Sequence, residues 1–241
     1  MIVPSDLDYK ETKLVKQGKK ILLPPIKEIV EWASAEFDAK ILNAFCDVIH
    51  VNKNDRPRLD IIYERDSDSP KFRELFGKFY VGNFIKEKQI QTADKFRSIL
   101  KSQNVNVPVL FSGEPPRGSS QSIDLEKLLV VFSVFEPIAK EEANQKIPKE
   151  KIADLQTQLN FDDLWLIRPS FTSATFFFYS DEQAETRRTN GSLERMRDAY
   201  FKLLVPYDEF NYFNPMTFSI SLDSKENFDK KYNSSWFSYD R

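Results

Sequence analysis

The sequence predicts an α+β protein built from two similar helix-hairpin-helix-strand units with mainly antiparallel sheets. Three observations lead there. Apolar residues recur at three- and four-residue spacings in some stretches, the mark of amphipathic helices, and at every second residue in others, the mark of half-buried strands. Helices and hairpins come in groups, without the regular strand-helix alternation of a parallel α/β sheet. The order of elements in the first half of the 241 residues also recurs in the second. This places an N-terminal extension at 1–24, one α+β unit at 25–140 and another at 145–241.

In the first unit, Ile26, Ile29, Val30, Ala33, Phe37 and Ile41 share one helical face, and Pro24 and Pro25 before them suit a helix start. Phe45–Val51 and Leu59–Glu64 read as a hairpin around Asn52, Asn54, Asp55 and Pro57. Leu59, Ile61 and Tyr63 then point one way, Asp60 and Ile62 the other. Ser69–Leu100 reads as helical with a break near Gly82 and Asn83. A stretch rich in Gly, Pro and Ser, Ser112–Ser122, leads to Leu128–Phe135, whose unbroken apolar run fits a buried strand. Charged Glu136–Asn144 reads as a connecting helix or a linker.

The second unit opens at Pro148 with a helix through Leu159, proline being favoured where a helix begins. Leu164–Ile167 and Phe171–Tyr179 form a second hairpin around Pro169 and Ser170, followed by an amphipathic helix over Ser192–Leu204. Met216, Phe218, Ile220 and Leu222 alternate with hydroxyl residues as a strand does, and Phe228–Tyr239 is expected to continue as an aromatic edge strand. Short matches accompany the shared order. Leu42-Asn43 pairs with Leu159-Asn160 before the hairpins, Tyr63 with Tyr179 at their ends, and Val107-Pro108 with Val205-Pro206 after the long helices. Phe132-Ser133 pairs with Phe237-Ser238 in the last strands, and a tandem repeat is the expectation.

Composition removes many chemistries. With 35 Lys plus Arg against 37 Asp plus Glu, there is no cationic excess to displace counterions from nucleic acid or to meet anionic lipid, so neither partner is expected. One cysteine, Cys46, and one histidine, His50, leave no internal disulfide and no Cys/His zinc cluster. On a strand those two lie about 13 Å apart, too far for a thiol-imidazole dyad. No GxSxG, GxGxxG or GxxxxGK occurs, and neither cofactor nor metal is expected. The first twenty residues carry Asp6, Asp8 and Glu11 without an apolar run, and no stretch reaches the ~20 apolar residues of a membrane span. Cytoplasmic location is the expectation.

What the chain has in excess is aromatic, with 21 Phe among aromatic residues that make up 14% of it. At the C-terminal end these sit beside acids. Asp223, Glu226, Asp229, Tyr232, Trp236 and Tyr239 are the candidate partner-binding residues, because aromatic anchors rimmed by charge bury large area at low side-chain entropy. The same residue types also fill strand cores. A rival candidate is a pocket between the halves where Asp60, Glu64 and Asp181 meet, serving a small ligand or a reaction. A third is an oligomeric structural protein that buries a sheet face across a two-fold axis.

Leu164-Trp165-Leu166-Ile167, Thr175-Phe176-Phe177-Phe178-Tyr179, Tyr200–Leu204, and Met216–Leu222 followed by Phe228-Asp229-Lys230-Lys231-Tyr232 resemble the YezG-like family of bacterial immunity proteins. The likeness covers 147–241, and only element order extends it to 26–135. The chain departs from the family in being about twice as long and in adding Ser235–Tyr239 after the Phe…Tyr motif. The resemblance implies an antitoxin that covers the active site of a cognate toxin without catalysis; the chain itself is expected to be a monomer or homodimer. It carries over no catalytic residues. Against a basic nuclease, the C-terminal acids are expected to speed association electrostatically.

Overall fold

The computed structural model describes residues 3–51, 54–76, 79–112 and 123–240; the His50 side chain and all but the first residue of the Ser112–Ser122 stretch lie outside them. Over these residues the α+β class holds, helices being joined to small sheets in which antiparallel pairs outnumber parallel ones. The chain divides into two compact units that meet at Ile138 and Ala139.

Unit 1 runs α1 (Leu7–Lys16), α2 (Ile26–Glu36), β1 (Ile41–Val51), β2 (Asn54–Tyr63), β3 (Arg73–Phe76), β4 (Phe79–Phe84), α3 (Lys86–Ser102), α4 (Val107–Ser112) and β5 (Leu129–Val134). The division falls inside α5 (Glu136–Gln145). The main sheet has the order β1-β2-β5, with β2 antiparallel to β1 and parallel to β5. Alternation along these strands puts Ala44, Leu59, Ile61, Tyr63, Val130 and Phe132 on one face, where they meet Ile29, Ala33 and Phe37 of α2 and Phe96, Ile99 and Leu100 of α3. Phe72 stacks on Tyr63 at 4.6 Å and on Phe132 at 4.9 Å, fixing the far edge of that core.

Three expectations for this unit change. Helix α2 stops at Glu36, and Asp38 adopts φ 47° before the chain enters β1, so Ile41 is a strand residue. The long helix expected from Ser69 begins only at Lys86. Before it lies the β3-β4 hairpin, and Phe79-Tyr80-Val81 followed by Gly82 is a poor helix sequence that favours strand. Residues 1–24 are no bare extension, because Tyr9 and Thr12 of α1 are buried, Tyr9 stacking on Phe135 at 5.1 Å.

Unit 2 continues with α6 (Lys149–Leu159), β6 (Leu164–Ser170), β7 (Ser173–Phe178), α7 (Asp181–Thr189), α8 (Ser192–Leu204), β8 (Ser221–Ser224), α9 (Lys225–Tyr232) and α10 (Trp236–Tyr239). Its sheet order is β6-β7-β8, again an antiparallel hairpin with a third strand parallel to the second. Ile167, Ala174, Phe176, Phe178 and Leu222 form the core face against Leu155 and Leu159 of α6 and Met196, Tyr200 and Leu204 of α8. One buried polar chain crosses this core. The Tyr200 hydroxyl donates to Asn144 Oδ1 at 2.7 Å, and Asn144 Nδ2 donates to the carbonyls of Phe171 and Ser173 at 3.0 and 2.6 Å. The hairpin turn is thereby held at Phe171, which adopts φ 46°, while Pro169 and Ser170 lie inside β6.

The C-terminal meander expected from alternation is replaced by a short strand and two helices. Only Ser221–Ser224 pairs, and it pairs in parallel with β7; Met216 is 88% exposed. The aromatics that follow are spaced by four, four and three residues at Phe228, Tyr232, Trp236 and Tyr239, which is helical spacing. Ser224 and Ser235 cap the two helices, accepting from the amides of Asn227 and Ser238 at 2.8 and 3.3 Å. Phe237-Ser238 is therefore helical, and β8 takes the place beside its hairpin that β5 takes in unit 1.

The two sheets agree in register as well as order. In each hairpin one residue is skipped at the same step, between Ile41 and Asn43 opposite Tyr63 and Ile62, and between Leu164 and Leu166 opposite Phe178 and Phe177. The third strand ends level with the second in both, at Tyr63/Val134 and Phe178/Ser224. Two residues beyond that point a glutamate returns to the amide three residues past the second strand. Glu136 accepts from Asp66 N and Glu226 from Asp181 N, each at 3.2 Å. Residue 63 thus corresponds to residue 178, one place earlier than the Tyr63/Tyr179 match in the sequence.

Candidate functional site

The face of each sheet turned away from its core is where the units differ. In unit 2 that face carries Trp165, Arg168, Phe177 and Asp223, and α9 and α10 cover it. Trp236 stacks on Phe228 at 4.1 Å and on Trp165 at 6.2 Å, and Phe177 meets the rings of Trp236 and Tyr239 at 5.4 and 5.3 Å. The Arg168 guanidinium lies 4.4 Å over Trp236 and grips Asp240 through two bonds of 2.7 Å.

All six candidate partner-binding residues fall at this place. Asp223 accepts from the Tyr239 hydroxyl at 2.6 Å and from Asn227 at 2.9 Å. Lys230 bonds Glu226 and Lys225 bonds Asp229, and those lysines hold both carboxyls below their usual values. Burial first, then the Asp223 bond, pushes the Tyr239 hydroxyl upward. The structure brings the six together, with their acids bonded within the unit and Tyr232, Trp236 and Tyr239 half-buried against one another. They form a second packed layer on the sheet.

In unit 1 the equivalent face carries no such aromatic layer among the described residues, and the start of α1 and the small hairpin leave a cleft over it. This cleft, of about 590 Å³, is lined by Phe45 and Asp47 from β1, Arg58 and Asp60 from β2, Val131 and Ser133 from β5, Arg73 and Phe84 from the small hairpin, and Asp6, Leu7 and Asp8 at the start of α1. Pairing sets the floor. Asp47 stands opposite Arg58 and Phe45 opposite Asp60, while Val131 flanks Asp60 on the other side. Arg58 takes both oxygens of Asp47 at 2.8 and 2.5 Å. The bond from Asn43 Nδ2 to Thr12 Oγ1, 3.1 Å and buried, ties α1 to the sheet beside the cleft. Asp6 and Asp8 sit at the helix N-terminus, where the backbone dipole suits negative charge.

Asp60 is the unusual member. It is 1% exposed; Ser133 donates to Oδ2 at 2.8 Å, and Oδ1 has no hydrogen-bond partner. Burial pushes its carboxyl up to about 6, against the bond from Ser133 and the Arg58 charge, with Asp8 and Asp47 adding to the rise. Asp8 is also raised, by burial first. Cys46 belongs to the core side, and burial raises its thiol, which disfavours the reactive thiolate.

Of the carboxylates expected to share a pocket, Asp60 is in the cleft. Glu64, four residues on, is held by Lys16 at 2.5 Å and Lys40 at 2.7 Å, and Asp181 is bonded to Ser224 within unit 2. Sequence reading missed Asp8, Asp47, Arg58 and Arg73. The Asp47/Arg58 pair was accessible, since opposite charges on facing strands at a two-sided hairpin mark a polar face. Arg73 carries no such sign, because its hairpin lies in a stretch that the sequence predicts as helix. Among the described residues no three His, Cys, Asp or Glu side chains converge as a metal requires, and no helix is long and apolar enough to cross a membrane. Comparison with protein-family models, with curated proteins and with solved structures finds no match.

Proposed function

We propose that the chain is a non-catalytic protein-binding module whose partner-facing surface is the unit 1 cleft, and that the immunity role implied by the resemblance of residues 147–241 is the form this binding takes. The observation that carries the reading is the contrast between the two sheet faces. One is filled by its own aromatics and internally paired acids, and the other is left concave, acidic and rimmed by the 61%-exposed Leu7. The shared bulge, strand ends and glutamate-to-amide bond support treating the units as tandem copies of one module. In that register Asp60 corresponds to Thr175 and Ser133 to Asp223, so one copy keeps a cleft over this face where the other places an aromatic layer. A concave, charged and partly apolar surface is what a specific partner needs for electrostatic steering and a buried anchor.

The experiment is capture from the native host with the full chain and with Leu7→Arg as baits. The substitution sets a cation at the mouth of the cleft, on an exposed side chain. A protein retained by the parent chain and lost with Leu7→Arg, at unchanged melting temperature, is the expected result. Equal retention by both, or retention of nothing above background, contradicts the reading.

A further inference from the structure

We propose that the unit 1 cleft receives an organic cation, an alkylammonium or alkylguanidinium group on an apolar stem, with Asp60 Oδ1 as its acceptor. The inference rests on the cleft being the binding face and adds the chemistry of what enters it. A cluster of acids alone would not single out a ligand. Here the floor also holds Asp60, a residue that is 1% exposed, lines the cleft and has a buried Oδ1 that accepts nothing. Leaving a buried acceptor unmade is costly, and a donor brought in by a ligand recovers that cost.

Charge decides the sign of the donor. Asp6, Asp8, Asp47 and Asp60 line the cleft against Arg58 and Arg73. Both guanidiniums are committed. Arg58 is held bidentately by Asp47, and Arg73 lies 4.9 Å over the Phe84 ring with a 3.5 Å approach to the Phe132 carbonyl. An anion would face the remaining carboxylates, whereas a cation meets Asp60 with Asp8 nearby. The walls set the rest of the ligand. Leu7, Phe45, Phe84 and Val131 offer apolar and aromatic contact to a stem, and rings favour a cation near their faces. The volume, about 590 Å³, lies within the range of small-ligand sites and admits a lysine- or arginine-sized group.

Two sources supply this chemistry, a side chain of a protein partner and a free amine, and the test separates them. The full chain is titrated calorimetrically at low salt with n-butylguanidinium, n-butylammonium, neutral n-butanol, N-acetyl-arginine methylamide and putrescine. Binding of the cations at millimolar concentration or tighter, at least tenfold weaker for n-butanol and at least tenfold weaker for every cation with Asp60→Asn, is the expected result. The melting temperature of Asp60→Asn checks that it is folded, and Leu7→Arg provides a second variant that also weakens the cations. Preference for N-acetyl-arginine methylamide supports a protein side chain as the source, and preference for putrescine a free amine. No heat from any cation, equal binding of n-butanol, or undiminished binding by both variants overturns the inference. Partner capture that is sensitive to Leu7→Arg, with no cation bound by the full chain, would leave the binding-module reading standing and remove this one. Cation binding at Asp60 with capture insensitive to Leu7→Arg would do the reverse.

Discussion

Asp60 sets a conflict between stability and binding that can be measured at one residue. Its folded carboxyl lies at about 6 against an ordinary 3.8, a difference of about 3 kcal/mol between the two protonation states. Between those two values the folded chain holds a proton that the unfolded chain has released. Stability from this group therefore falls as pH rises through that window and levels off above it. Asp60→Asn should be more stable than the parent at pH 7 by about 1–3 kcal/mol. The difference between the two denaturation profiles should vanish toward pH 4; a difference that is constant with pH would mean that Asp60 is not buried as a charge. The opposite behaviour is expected at Tyr200, where the buried hydroxyl satisfies Asn144. Tyr200→Phe should cost about 1–3 kcal/mol in urea unfolding because it orphans an acceptor. Asn144→Leu should cost more, since it releases two carbonyls as well.

At the level of elements, what the sequence disclosed depended on which interaction shaped each segment. Helix α8 was readable to its ends, Ser192–Leu204, because its stripe of Leu193, Met196, Tyr200 and Leu204 both forms and buries it. Strand β5 was readable from an apolar run alone. The C-terminal segment was not, because alternation at Met216–Leu222 imitates a strand while backbone pairing with β7 extends only over Ser221–Ser224. The signs of helix there were the serine caps and the four-residue aromatic spacing. Helix α7 had a comparable sign in Ser180 and Gln183, which form a capping box. Of the cleft, Asp60 was legible as polar among apolar strand neighbours and Asp47 with Arg58 as a facing pair; Asp8 and Arg73 were not, because α1 and β3 are brought to the sheet by tertiary contacts. The closed face of unit 2 makes its own prediction. Trp236 is half-buried, so Trp236→Ala should cost about 2–3 kcal/mol, below the 3–5 of a fully buried tryptophan. Hydrogen exchange should then show protection lost over 221–240 and kept in unit 1.

For the whole molecule, two cores imply two cooperative regions. Each sheet has its own apolar face and its own helices, and the buried clusters of the two units share no residue. Phe132→Ala, which removes a fully buried ring contacting Phe72, Phe37 and Phe84, should cost about 3–5 kcal/mol. Protection should disappear over unit 1 and persist over 146–240; simultaneous loss in both would mean a single cooperative body. The functional claim is also one about units, that the cleft face of unit 1 does the binding while the aromatic layer of unit 2 is structural. The most direct measurement places a photo-crosslinking residue either at Leu7, on the rim of the cleft, or at Phe237, exposed on α10, and irradiates the full chain in its native host. Covalent capture of a protein from position 7 and none from position 237 is the result predicted. Capture from position 237 with none from position 7 would contradict the account and return the binding surface to the C-terminal aromatics.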